Sequence, residues 1–334
     1  MKIIISAGDV NGIGPEVMFK AIAEFDSNCS DSKAHDLYIS ANANALKDYA
    51  GKLPDIGVEI NVTDDSLIIG ERKCTIVPCK NQVSVEFGVE SVEAGKLAAE
   101  AIEIAVEKTL SGEYDAMVTM PVSKAVLYSA GWKYPGHTEM LAARCDVEKP
   151  MMILCTKTIR VALITIHIGI ADVPGTLSKK HIIERIKTFD HSLKFDYAIA
   201  NPKIAVLGLN PHAGENGTMG REDEDIVAPS IQHCAELGID VDGPHPSDGF
   251  FAHGAYKDYD GILAVYHDQG LIPLKLLAQG AGINVSAGLP IVRTSPDHGT
   301  AFAIAGKGIA DGKSSAEALE AAVFIAESRK SFSV

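Results

Sequence analysis

Aromatic side chains are scarce in this chain of 334 residues: 6% in all, with a single Trp. That argues against a carbohydrate- or base-stacking surface, which is built from aromatic faces. Positive charge is also short, with 30 Lys and Arg against 44 Asp and Glu, a net charge of −14. The balance argues against a broad nucleic-acid surface or one for anionic membrane. It leaves room for a small anionic substrate, because a few basic groups focused in one cleft act locally. No cysteine pair has CxxC spacing. Cys29, Cys74, Cys79, Cys145, Cys155 and Cys234 are scattered, as reduced thiols of a cytosolic protein are. Cys155, in "MMILC", reads as core, and Cys74 and Cys79 read as flanking a turn. No apolar run approaches the ~20 residues of a membrane span. The opening "MKIIISAGD" is too short for the apolar region of a signal peptide, so a soluble cytoplasmic protein is expected. Nucleotide fingerprints are missing too. "GIGPEV" lacks the third glycine of GxGxxG, and "GIADGKSS" is one residue short of a P-loop with no strand before it.

What is present is an alternation of short β-branched runs and helical patterns. Strands are expected at 2–6, 36–40, 115–120, 151–155, 159–166, 203–209 and 261–266. Helices are expected from Pro15 to about Phe25, over 89–111, 178–194 and 314–330, and over 223–237 with an interruption near Pro229. This order predicts an α/β protein with mainly parallel sheets and helices on both faces, in two domains. The Gly- and Pro-containing connection at 131–136 is the candidate hinge, giving one domain from 1–130 plus 295–334 and another from 131–294.

Three apolar runs lead to a histidine. "VALITI" ends on His167, "IAVLGLNP" leads to His212, and "ILAVY" ends on His267. In open α/β sheets ligands sit beyond the carboxyl ends of strands. Neutral imidazole is a common ligand of divalent metals, and three histidines leave positions open for substrate. Asp268 fits an orienting or acid/base role beside them. The bland alternative is that each histidine caps its strand or satisfies a buried hydrogen bond. The loop "GLNPHAGENGTMGRED" has glycines that let backbone approach a ligand.

Anion anchors recur. "YPGHTEM" places His137 and Thr138 at a helix start, where an anion binds well. Lys275 follows the His267 strand, and Asn284 and Arg293 sit in "GINVSAGLPIVRTS". Arg clamps a phosphate or carboxylate with two parallel bonds, and Lys supplies a point charge. Asp248, in "HPSDGFF", is a further candidate proton acceptor and otherwise a turn residue.

Taken together, "GDVNGIGPE", "PGHTE", "GLNPHAGE", "YHDQGL", "GINVSAGLPIVRTSPDHGTA" and "AGKGIAD" resemble the 4-hydroxythreonine-4-phosphate dehydrogenases of vitamin B6 biosynthesis, over about residues 1–330. "HGTAFAIAGKGIAD" is also similar to the cofactor loop of isocitrate and isopropylmalate dehydrogenases, which bind NAD without the Rossmann fingerprint. The resemblance implies their two-domain α/β/α fold and NAD or NADP at His298, Gly299, Thr300 and Gly306. It implies a homodimer with shared active sites between two domains. It implies one divalent ion (zinc, magnesium or cobalt) on His167, His212 and His267, and substrate contacts from His137, Thr138, Lys275, Asn284 and Arg293. The implied substrate is a phosphorylated hydroxy-amino acid, oxidised to a β-keto acid that loses CO2. His212, Asp268 and Asp248 are the catalytic candidates. The chain departs from the resemblance in "GDVNG" and "MPVSK". The competing readings are a paralogous dehydrogenase of phosphorylated sugar acids and a metal-dependent hydrolase.

Overall fold

The computed structural model describes residues 1–29, 31–134, 136–148 and 150–332. The chain forms two compact units, Met1–Pro150 with Leu289–Glu327, and Met151–Gly288 with Ser328–Val334. The sequence placed the division at 131 and 295. Helix packing moves it: Met140 and Leu141, with Leu289 and Ile291, join the core of Ile4, Ile102 and Met117 in the first unit. Within the 131–136 hinge candidate, Pro135 lies outside the described residues.

The first unit runs β1 (Lys2–Ser6), α1 (Gly14–Asn28), β2 (Asp36–Ala41), α2 (Ala43–Lys52), β3 (Ile60–Val62), β4 (Ser66–Ile69), β5 (Arg72–Pro78), α3 (Val92–Leu110), β6 (Ala116–Thr119), α4 (Lys124–Ser129) and α5 (His137–Arg144). The second holds β7 (Met151–Cys155), β8 (Arg160–Leu163), α6 (Val173–Thr176), α7 (Lys179–Phe195), β9 (Ile204–Leu207), α8 (Ala228–Glu236), β10 (Val241–His245), α9 (Ser247–Ala252), β11 (Gly261–Ala264), α10 (His267–Ala278) and β12 (Ile283–Ala287). The first resumes with β13 (Arg293–Pro296), and α11 spans Lys313–Ser331.

Strand order in the first unit is β13-β6-β1-β2-β5-β4-β3. The strands from β13 to β5 are parallel, and the β3, β4, β5 end is antiparallel. Strand β1 is central, and Ile3, Ile4 and Ile5 are fully buried. A parallel strand covered on both faces reads as a continuous apolar run, which is why "KIIIS" was legible. Helix α3 starts where Ser91 accepts a hydrogen bond from Ala94 N at 3.1 Å, three residues after the expected start. Its buried face is built of four alanines with Gly95, Leu97, Ile102, Val106 and Thr109, while Val92 at its start is exposed. Cys74 lies buried within β5 and Cys79 just beyond it, so the two follow one strand and flank no turn.

The second unit orders its strands β10-β9-β11-β8-β7-β12. The four strands β10, β9, β11 and β8 are parallel, while β8, β7 and β12 alternate in direction. Helix α7 is capped by Ser178, whose Oγ accepts from His181 N at 3.2 Å. The interruption expected near Pro229 is a π-helical turn over Asp223–Val227, followed by α8 with Pro229 in its first turn.

Loops at the carboxyl ends of β1 and β6 bury a carboxyl group. Asp9 is 1% exposed; its Oδ1 accepts from Asn11 N at 2.9 Å, and Oδ2 has no hydrogen-bond partner among the described residues. Burial, aided by the charge of Glu90, raises this carboxyl to about 6. A carboxyl whose folded pKa exceeds its unfolded value makes the protein lose stability as pH rises from about 4 to 6. The loss is on the order of 3 kcal/mol for two pH units. Asp9→Asn keeps the Oδ1 acceptor and removes the charge. Its Tm is expected to exceed the parent's at pH 8 and to match it at pH 4, measured by calorimetry at both.

Candidate active site

Strands β9, β11 and β8 are parallel neighbours, so their carboxyl ends lie along one edge of the second unit's sheet. The chain leaves them towards His212, His267 and His167 respectively. The regular strands stop earlier than the apolar runs, at Leu163 and Ala264, because backbone bonding there passes to the exit loops. Ile164 N donates to Ala264 O at 2.9 Å and Thr165 N to Val265 O at 3.1 Å. Thr165 Oγ1 donates to the same Val265 oxygen at 2.7 Å. These bonds hold the β8 and β11 exits side by side, and the rings of His167 and His267 lie 5.8 Å apart between centroids. An open cavity of about 390 Å³ is lined by Thr165, Ile166, His167, Tyr266, His267 and Asp268, among others. That volume is in the range of small-molecule sites.

His267 is the first residue of α10. Its Nδ1 is 2.7 Å from Asp268 Oδ1. With Asp268 accepting the Nδ1 proton, Nε2 keeps its lone pair, the arrangement a ligating or proton-accepting imidazole needs. Asp268 thus stands where an orienting carboxylate would. Asp248, in the first turn of α9, is exposed and lies outside the residues lining this cavity.

His212 sits in a 3-10 turn, Pro211–Gly214, with φ 54° and ψ 27°. Asp223, 1% exposed, accepts from Leu209 N at 2.7 Å and from Asn210 N at 2.9 Å, which fixes the approach to this turn. Among the described residues no group of three or more His, Cys, Asp or Glu side chains is arranged to hold a metal. The fold thus brings two of the three expected ligands together and leaves His212 on the exit of the adjacent strand.

Two positioning residues carry little signal in the sequence. Asp223 is one. Gln269 is the other: Nε2 donates to Gly208 O at 2.5 Å and Ser247 Oγ at 2.8 Å, and Oε1 accepts from Val265 N at 2.7 Å. One buried amide thus ties the exits of β9, β10 and β11. Its only sequence signal is its place in "YHDQGL". Asp223→Ala leaves two part-buried amides without their carboxylate, each bond to a charged group worth roughly 1.5–3 kcal/mol. The variant is expected to lose about 3 kcal/mol of stability in urea unfolding and to free the His212 turn.

In the first unit, α5 begins at His137, with Gly136 as its extended N-cap. Arg293 on β13 is 4% exposed, and its Nε and Nη2 donate to Thr119 Oγ1 at 3.1 and 2.6 Å. Burial lowers Arg293 to about 10, so it stays charged at neutral pH. Burial and then the charges of Arg293 and Lys124 lower His137 to about 3, so its ring is neutral. His137 Nε2 is buried without a hydrogen-bond partner among the described residues. Two cations thus act on a neutral imidazole at a helix start, surroundings that favour a small anion. Thr138, half-buried, is the next residue of α5. Lys124, the first residue of α4, is a further cation of this group; in the sequence its segment, "MPVSK", stands out only as a departure from the family pattern.

Lys275 and Asn284 belong to the second unit. Lys275 is exposed on α10, eight residues and about 12 Å along the axis from His267. Asn284 lies on β12, and its Oδ1 is buried without a partner among the described residues.

The cofactor-loop candidates lie in the first unit. His298 Nδ1 is 3.2 Å from Gly299 O, and its Nε2 is buried without a partner among the described residues. Gly299 faces open space. Thr300 is buried, and its carbonyl accepts from Ile13 N at 3.0 Å. Gly306 has φ 74°, and a Cβ there would lie 2.1 Å from the Phe87 ring, so only glycine fits.

Residues 32–322 match the family model described as "Pyridoxal phosphate biosynthetic protein PdxA". The chain belongs to the PdxA family. Among PdxA relatives, 4-hydroxythreonine-4-phosphate dehydrogenase of Bacteroides thetaiotaomicron is 40% identical over 99% of this chain and 90% of its own. The crystal structure of 4-hydroxythreonine-4-phosphate dehydrogenase from Klebsiella pneumoniae superposes with a TM-score of 0.82 at 36% identity, covering 97% of this chain and 98% of that one. A putative D-threonate 4-phosphate dehydrogenase of Oceanobacillus iheyensis is 36% identical over 97% of this chain and 98% of its own. Among the described residues no helix is long and apolar enough to cross a membrane.

Proposed function

We propose that this chain oxidises 4-hydroxythreonine 4-phosphate with NAD or NADP to 2-amino-3-oxo-4-phosphooxybutanoate, which decarboxylates to 3-amino-2-oxopropyl phosphate, in the cytoplasm. The observation that carries this reading is near-full-length similarity to enzymes bearing the corresponding name. The site chemistry agrees with it. Arg293, His137 and Thr138 bind the phosphate, with Lys275 and Asn284 as further substrate contacts. His298, Gly299, Thr300 and Gly306 meet the dinucleotide.

His167, His212 and His267 are the residues that would hold a divalent ion. The Nδ1 contact of His267 with Asp268 fits that role, since it reserves Nε2 for a ligand. When bound, such an ion supplies Lewis acidity at the substrate hydroxyl, and a nicotinamide takes up the hydride. Asp268 holds the imidazole proton at Nδ1 and fixes the ring's orientation. Asp248, exposed in the first turn of α9, is the alternative proton acceptor.

A homodimer completes the proposal. Ile168, Ile170, Ile272 and Leu276 are exposed at 42, 67, 58 and 75%, next to or beyond the cavity histidines in the chain, which suits burial against a second copy.

A second reading, oxidation of a phosphorylated sugar acid such as 4-phospho-threonate, is favoured by the Oceanobacillus relative. The two substrates differ at C2, amino against hydroxyl. Incubating the protein with each substrate, a divalent ion and NAD or NADP, and following reduced nicotinamide by absorbance, tests both. Reduction with the amino substrate alone supports the first reading; reduction with the sugar acid alone replaces it. Phosphate release without reduction would make the protein a hydrolase.

A further inference from the structure

An ion pair on α1 grips the backbone of a loop far along the chain. Lys20 Nζ donates to Gly308 O at 2.9 Å and to Ala310 O at 2.7 Å, and lies 2.9 Å from Glu16 Oε1. The same Glu16 oxygen accepts from Ala310 N at 2.8 Å. Glu16 is fully buried and Lys20 is 21% exposed. A side chain at Gly312 would strike Lys20, since a Cβ there would sit 2.6 Å from the lysine Cβ. The loop thus presses against α1 at a residue without a side chain. Between the two anchored residues, Gly308 and Ala310, Ile309 turns outward and is 66% exposed.

Three backbone groups of residues 308–310 are therefore satisfied by one pair, four residues apart on a helix. A buried ion pair of this kind is weak evidence of net stability, because desolvation offsets the Coulomb attraction. Its bonds to the loop backbone give it another task. Backbone held at both sides of an outward-facing residue presents a fixed surface to a ligand, and pre-ordering a loop reduces the entropy lost on binding.

We propose that Glu16 and Lys20 are positioning residues that pre-order the 306–310 loop for the dinucleotide. The inference rests on the reading of 298–306 as cofactor-binding, extended to the adjoining residues. The pair touches the loop backbone and acts on the cofactor only through it. Removing it affects cofactor affinity and leaves the chemical step alone.

The test compares the full-length parent, Lys20→Met and Lys20→Arg. NADH and NADPH binding is followed by fluorescence titration, and steady-state kinetics are measured at saturating substrate. Lys20→Met is expected to weaken dinucleotide binding and raise its KM by about tenfold, with kcat within about twofold, and Lys20→Arg to recover most of the loss. Hydrogen exchange of the 308–310 amides is expected to be faster in Lys20→Met. A folded Lys20→Met with parental KM and parental exchange overturns the inference. Where Lys20→Met does not fold, Glu16→Leu, which removes the oxygen that accepts from Ala310 N, is measured in the same way, and parental KM and exchange in that variant overturn the inference equally. If the parent binds neither dinucleotide, the cofactor reading itself fails, and the inference falls with it. Binding by the parent with no change in the variants removes the positioning role alone.

Discussion

His267→Ala is expected to lower kcat/KM for the phosphorylated hydroxy-amino acid by about 10³-fold or more, roughly 4 kcal/mol of transition-state stabilisation. Three features put this residue first. It opens α10 directly beyond a buried strand, so its position is set by the sheet. Its ring lies beside that of His167, tied there by hydrogen bonds between the two strand exits. Its Nδ1 lies 2.7 Å from Asp268 Oδ1, a contact that favours the proton on Nδ1. Alanine removes the ring and leaves Asp268, an exposed carboxylate, without its imidazole. Two controls separate the roles. Asp268→Ala removes orientation only and should cost about 10–100-fold, the usual penalty for losing a ligand's supporting partner. His212→Ala should match His267→Ala if all three imidazoles serve one ion. Metal analysis after dialysis against zinc is the parallel readout, with stoichiometric zinc in the parent and little in His267→Ala. Parental turnover with full zinc content in His267→Ala would end the metal assignment.

The second large effect is expected at Arg293. Arg293→Met should raise KM for the phosphorylated substrate by about 100-fold, with a much smaller change in kcat. A hydrogen bond to a charged group contributes roughly 1.5–3 kcal/mol, and a two-pronged guanidinium contact makes more than one. Burial lowers the guanidinium to about 10 yet leaves it charged, so the side chain is desolvated and charged before any ligand arrives. Thr119 holds its Nε and Nη2 edge, which orients the fork. Arg293→Lys should therefore rescue poorly, because an ammonium has neither the planar fork nor the reach to keep both roles. The neighbouring His137 reports binding independently. Its pKa, held at about 3 by burial and by Arg293 and Lys124, should rise when a dianion binds, followed through its imidazole NMR shifts. An unchanged KM in Arg293→Met would refute the clamp.

Much of this architecture was legible in the chain because its signals are local. "KIIIS", "MMILC" and "ILAVY" are apolar runs that form buried strands, and His137 follows a glycine at a helix start. The short antiparallel strands β3 and β4 were not seen: β3 is three partly exposed residues, and β4, although mostly buried, is only four residues long, too short a run to stand out. Strand ends were overextended for a similar reason. Ile164 and Ile166 are apolar like the strand before them, but their backbone belongs to the exit loop.

The sequence by itself determined the family, the parallel α/β organisation and which residue types could carry chemistry, because each is written in contiguous motifs or short periodicities. Only the tertiary structure decided which of those residues meet. Strands β8 and β11 are neighbours although Thr165 and Val265, hydrogen-bonded just beyond their ends, are 100 positions apart. That adjacency puts His167 beside His267, while His212 stands on a turn held by Asp223. Likewise Lys20 reaches Gly308 across 288 residues. Such contacts depend on strand order and on which buried polar group lacks a nearer partner, and no local spacing encodes either.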